Sequence, residues 1–207
     1  MSERLDLVIL VADTDAEWTV RTLLRQRYPA LRIREIAFEV FRHPQRDAGV
    51  FLHAHEFLRA YVGQADHAMV LLDREGSGRE SLSPLEIEGR IEDALLQNGW
   101  RPEQIAAIAL DPELEVWVWS PSPHVADIIG LEASVLHQIL VQTPKTPLGK
   151  PQRPKETLLQ ALYRSKRPFS ARLFQELAAR VSLRCEERAF AKFRDTLQQW
   201  FPPENIP

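Results

Sequence analysis

Residues 5–12 read LDLVILVA, a short apolar run without the polar alternation of a half-exposed strand. Such a run suits a strand covered on both faces, as in a parallel sheet sandwiched by helices. It is far too short to cross a bilayer. Related runs recur at residues 31–41, where Leu31, Ile33, Ile36, Phe38 and Val40 alternate in part, and at 67–72 and 105–110. Between them lie helical patterns: Trp18, Val20, Leu23 and Leu24, then Phe51, Leu52, Phe57, Leu58 and Tyr61. The strand-helix alternation predicts an α/β fold with a mostly parallel central sheet flanked by helices.

Two helix starts are signalled locally. Ser83-Pro84-Leu85-Glu86 combines a capping serine, a first-turn proline and a third-position glutamate, and Asn98-Gly99 supplies the stop. Asp111-Pro112 has the form of a second cap-plus-proline start. Proline then thickens over residues 144–154, PKTPLGKPQRP, the composition of a semi-rigid connector. Residues 1–143 are therefore expected to form the α/β domain. Residues 155–207 are expected to form a small C-terminal helical appendage, with helices near 155–165, 170–181 and 186–200.

Composition bounds the chemistry. The single cysteine, Cys185, excludes an intrachain disulfide and a thiolate metal cluster. With no basic-then-apolar leader, a cytoplasmic location without membrane contact is the default expectation. The net charge of −3 hides an asymmetry: residues 1–149 carry 14 Lys+Arg against 23 Asp+Glu, and residues 150–207 carry 12 against 6. An acidic front and a basic back fit a cation-bearing core with a phosphate-contacting segment, although solvated helix faces can show a milder version.

Functional groups in open α/β sheets gather beyond the carboxyl ends of the strands. Three acidic clusters fall there: Asp13 and Asp15, Asp73 and Glu75, and Asp111, Glu113 and Glu115. Residues two apart on extended backbone point to one side, so Asp73 and Glu75 can converge on one ion, with Gly76 and Gly78 allowing close approach. An all-oxygen set selects Mg²⁺, or Mn²⁺ in its place. Each cluster taken alone is better read as helix caps and turns, but three clusters at three strand ends are harder to dismiss. Arg74 and Arg79 flank the expected ion as phosphate clamps or as partners of the nearby acids. Lys150, Arg153 and Lys155 lie in a basic strip suited to backbone phosphates, or simply to solvent. Trp117 and Trp119 suit core packing more than base stacking.

The segments LLDREGSG and DPELEVW, followed by a basic helical tail, resemble Toprim-like proteins of bacterial defence and abortive-infection loci, the DUF4276 and RloB-like families. LRCEERAFAKFRDTLQQW is similar to the DUF4276 C-terminal helix, and the whole chain looks like the small Toprim-type component of a methylation-associated phage-defence system. The resemblance implies a Toprim-like fold and a Mg²⁺-dependent nuclease or phosphodiesterase site. Asp73, Glu75, Glu115 and Asp13 would be catalytic, and Asp73, Glu75, Asp111 and Glu113 would hold the metal. Arg74, Arg79, Lys150 and Arg153 would contact phosphate. Implied partners are nucleic acid and other proteins of the defence system, with homo-oligomerisation open. The family places a glutamate after the first strand, where this chain has Val11-Ala12-Asp13-Thr14-Asp15, and it usually has Asp-x-Asp where Asp73-Arg74-Glu75 stands. Those departures leave a second implication open: a non-catalytic subunit that binds DNA, a nucleotide or a protein.

Overall fold

The computed structural model describes residues 4–203. Four strands pair in parallel in the order β2-β1-β3-β4: β1 Leu5–Val11, β2 Phe38–Arg42, β3 Ala65–Asp73 and β4 Ile105–Leu110. In register, Ile9 lies opposite Val40 and Met69, and Val70 opposite Ala107. The side-chain period of two splits each strand between two layers. Leu7, Ile9, Met69, Leu71 and Ile108 enter one core, and Val8, Leu10, Val70, Leu72 and Ala107 enter the other.

Helices cover both faces. Helix α1 (Thr14–Gln26) lies on the first face, with the short α2 (Tyr28–Leu31) following it. Helices α3 (Arg46–Leu58) and α4 (Pro84–Gln97) cover the second with Val50, Ala54, Ile87, Ile91 and Leu95. After β4 come α5 (His124–Ile129), α6 (Ala133–Gln142), α7 (Pro154–Ser165), α8 (Ala171–Arg180) and α9 (Arg188–Trp200). This α/β class, with an all-parallel sheet between helices, is the expected one and is consistent with a Toprim-like fold.

The C-terminal helices pack onto the first face of the sheet. Leu158, Phe174, Phe193 and Phe201 share the core of Leu7 and Ile9, so residues 155–201 complete the first helical layer. Burying each of these side chains stabilises the fold by roughly 2–3 kcal/mol. The proline-rich segment is a built loop: Thr146 N–H donates to the Lys150 carbonyl, Lys145 bridges Pro151, and Gly149 turns at φ +74. The expected limits at residues 1 and 207 lie outside the described residues.

Local signals met different fates. Ser83 Oγ accepts from Glu86 N–H while Glu86 Oε2 accepts from Ser83 N–H, the expected capping box. The second strand is shorter than its sequence pattern, because Pro29 starts α2 and Arg32 ends it at φ +59. Leu31, Ile33 and Ile36 still reach the core from that turn and the segment after it. No α-helix starts at Asp111-Pro112. The chain bends at Asp111 and Pro112, is extended at Glu113 (φ −160, ψ 170) and makes a 3-10 turn at Leu114–Trp117.

Side chains bond backbone groups at both sheet edges, most fully along β4. Beyond β4, Glu92 and Glu88 of α4 accept from Ala107 and Ala109 N–H, and Arg188 donates to the Ala109 carbonyl. On β2, Arg21 donates to the Val40 carbonyl. Edge groups paired this way cannot template another strand.

Candidate metal centre

The carboxyl ends of all four strands open onto one rim, and each contributes acid. After β1, Asp13 caps α1 by accepting from Ala16 N–H at 2.9 Å, and Asp15 stands in that helix's first turn. After β2, Asp47 in the first turn of α3 accepts Asp73 N–H at 2.8 Å. Asp73 ends β3 and accepts Leu114 N–H at 2.9 Å. The pair of bonds locks the end of β3 between α3 and the segment leaving β4. Glu113 and Glu115 lie on that segment, both almost fully buried.

Three carboxylates converge. One oxygen each from Asp73, Glu113 and Glu115 lies within 4.8 Å of the others. Opposite oxygens around Mg²⁺ are roughly 4.2 Å apart, given metal-oxygen distances near 2.1 Å, so the set is close to a coordination sphere. A cation is already present in the form of Lys155, on the first turn of α7. Its Nζ is 3.7 Å from Glu113 Oε2 and 3.8 Å from Glu115 Oε1, and its backbone N–H donates to Glu113 Oε1 at 3.0 Å.

One ammonium does not neutralise this many acids. Burial, reinforced by Asp47, Glu115, Asp13 and Glu113, pushes the Asp73 carboxyl well above its usual range. Burial raises Glu115 to about 7, with Lys155 opposing and Glu113 assisting. Asp15 rises to about 6 through burial and the Asp13 charge, offset partly by Lys155 and Arg46. Asp47 and Glu113 are also raised, chiefly by burial. Burial works against the charge on Lys155, but Glu115, Glu113, Asp73 and Asp13 outweigh it and hold the ammonium above its usual range. Strongly perturbed groups of one sign at a sheet's carboxyl edge mark candidate sites.

Other sequence candidates are placed differently. Glu75 is exposed and outside the converging set, because the chain turns after Asp73: Ser77 N–H donates to the Arg74 carbonyl and Gly76 adopts φ +90. Asp111 lies outside the set too, its Oδ1 taken by Arg74 Nε at 2.9 Å. Arg74 also donates to the Glu80 carbonyl. Arg79 donates to the Gly78 carbonyl and lies over the Phe51 ring. Arg153 is exposed at the start of α7. Lys150, expected on an outward phosphate strip, is buried and donates to the Val116 carbonyl and Cys185 Sγ. Trp117 and Trp119 are core residues, with their indole N–H groups donating to Glu187 and to the Pro154 carbonyl.

Asp47 was not among the sequence candidates, and Lys155 was placed only in the basic strip. Asp47 obeys the strand-end rule that found the other acids, since it follows β2. Lys155 had no local signal beyond the proline before it.

Compared with known proteins, the chain matches no family, no curated protein and no solved structure. Among the described residues, no helix is long and apolar enough to cross a membrane.

Proposed function

We propose that the rim binds Mg²⁺ or Mn²⁺ and hydrolyses phosphodiesters, as the Toprim-like resemblance implies for a component of a bacterial anti-phage defence system. The carrying observation is the convergence of Asp73, Glu113 and Glu115 within 4.8 Å on an over-acidic rim. These three would hold the ion. When bound, it would supply a Lewis acid that lowers the pKa of water and offsets charge at phosphorus. Asp15, held near 6, is suited to accept a proton at neutral pH. The Lys155 ammonium stands where it can meet a phosphate oxygen as negative charge grows. Asp47 orients Asp73 through its N–H and adds negative potential.

Two observations favour the other reading, a degenerate site in a binding subunit. Ala12 is buried in the second core where the family places a glutamate, and Lys155 already provides a cation to Glu113 and Glu115. Titration with Mn²⁺, followed by paramagnetic relaxation or calorimetry, tests the proposal. One saturable ion per chain, lost in Asp73→Ala together with oligonucleotide cleavage, supports it. A wild-type chain that binds no divalent ion sinks it in favour of the subunit reading.

A further inference from the structure

A second concavity, independent of the rim carboxylates, lies where the 145–151 loop meets α6 and the 184–187 segment. It is a cleft of about 600 Å³, within the range of small-molecule sites. Its apolar wall includes Val125, Leu136 and Leu140, and Leu148 stands 55 % exposed at its edge. Lys150 and Cys185 share that wall.

Lys150 is the unusual member. It is 7 % exposed, and its Nζ donates to the Val116 carbonyl at 2.7 Å and to Cys185 Sγ at 3.1 Å. Among the described residues no carboxylate pairs with it. A buried ammonium is normally matched by an anion, because removing it from water is costly. Two acids touch the cleft, but neither serves. Glu187 is engaged by Ala189 N–H, Phe190 N–H and the Trp117 indole, and Glu186 is exposed. Lys145 and Arg184 add positive charge to the lining. The loop is shaped to present Lys150: its carbonyl and N–H both bond Thr146, and Gly149 makes the left-handed turn before it.

We infer that this cleft binds a small amphiphilic anion, its carboxylate or phosphate head answering Lys150 and its apolar body resting on Val125, Leu136 and Leu140. Cys185 is the only cysteine and lines the cleft, so its alkylation reports occupancy. The test uses the full chain with octanoate, octyl phosphate and neutral octanol, measured by calorimetry. At least one charged probe should bind saturably, one per chain, about tenfold or more tighter than octanol, and should slow alkylation of Cys185 by iodoacetamide. Whichever charged probe prevails identifies the head group. Leu148→Glu, at an exposed position that leaves the core intact, should weaken charged probes about tenfold without weakening octanol. Lys150→Met should abolish the preference for charge, but the test does not depend on that variant folding. Equal binding of octanol and the charged probes, no saturable binding at all, or Cys185 alkylation unchanged at saturation overturns the inference.

Discussion

Two buried acidic regions of this protein are built in opposite ways. At the β4 edge, Glu88 is 2 % exposed and saturated: Arg188 grips both oxygens, Lys192 adds an ammonium, and Ala109 N–H donates to one of them. At the carboxyl rim, six acids from four strand ends face one ammonium, and several are held at raised pKa. Glu88 is a rivet joining α4, α9 and the sheet edge. The rim is short of cationic partners, so burial and mutual repulsion hold protons on its acids that a divalent cation would displace. Burial alone does not distinguish a structural acid from a functional one; the balance of partners does.

The largest expected effect is at Asp73. Asp73→Asn keeps an oxygen for Leu114 N–H but removes a charged ligand, so Mn²⁺ affinity should fall about 100-fold, read by calorimetry. The ion-free variant should also melt above wild type, since repulsion is removed. Equal Mn²⁺ affinity in both proteins would break the contrast between the two regions.

Glu88→Gln should do the reverse. Among the described residues it leaves Arg188 without a carboxylate and Lys192 with Glu92 alone, and it should destabilise the fold by about 3 kcal/mol in urea unfolding, with cation binding intact.

The pH dependence follows from the same difference. Carboxyls raised in the folded state bind more protons folded than unfolded. Stability should therefore fall as pH rises from the ordinary carboxylate range through about 6 for Asp15 and about 7 for Glu115. The two shifts together imply a loss of about 4 kcal/mol, seen as a lower Tm at pH 8 than at pH 5 without divalent ion. Saturating Mg²⁺ should flatten that slope; a protein more stable at pH 8 without the ion would contradict it.

Lys155→Met sharpens the choice between the two functional readings. Its side chain is 46 % exposed, so the stability loss should be only about 1 kcal/mol. If the rim is a working cation site, the variant should bind Mn²⁺ a few-fold tighter and lose cleavage. If Lys155 replaces the ion, only the variant should bind Mn²⁺. The smallest effect belongs to Glu75→Ala, which should leave Mn²⁺ affinity within about twofold, because Glu75 lies outside the converging oxygens.

Sequence patterns transmit some of this arrangement and not the rest. The apolar runs of β1, β3 and β4 and the Ser83 capping box are legible because neighbouring residues alone generate them. The acids at strand ends are legible for the same reason. The spacing of Asp73 and Glu75 misleads, because same-side projection holds only while the backbone stays extended, and it turns at Arg74. Asp111 reads as a helix cap, yet Arg74, 37 residues earlier, claims its oxygen. Helices α5 and α6 carry ordinary signals, a left-handed stop at Gly130 and the helical spacing of Leu136, Ile139 and Leu140, although neither helix is among the expectations above.

The order of strands and helices, the double-sided burial of the sheet and the presence of acids at its carboxyl edge were set by the sequence itself, through hydrophobic periodicity and capping chemistry. Tertiary packing alone decided that Glu113 and Glu115 join Asp73, that Asp47 buttresses it and that Lys155 closes over them. It likewise turned Lys150 inward and made the C-terminal helices a layer of the core. The physical reason is range: periodicity acts between residues a few positions apart. Convergence of charges depends on where distant segments come to rest.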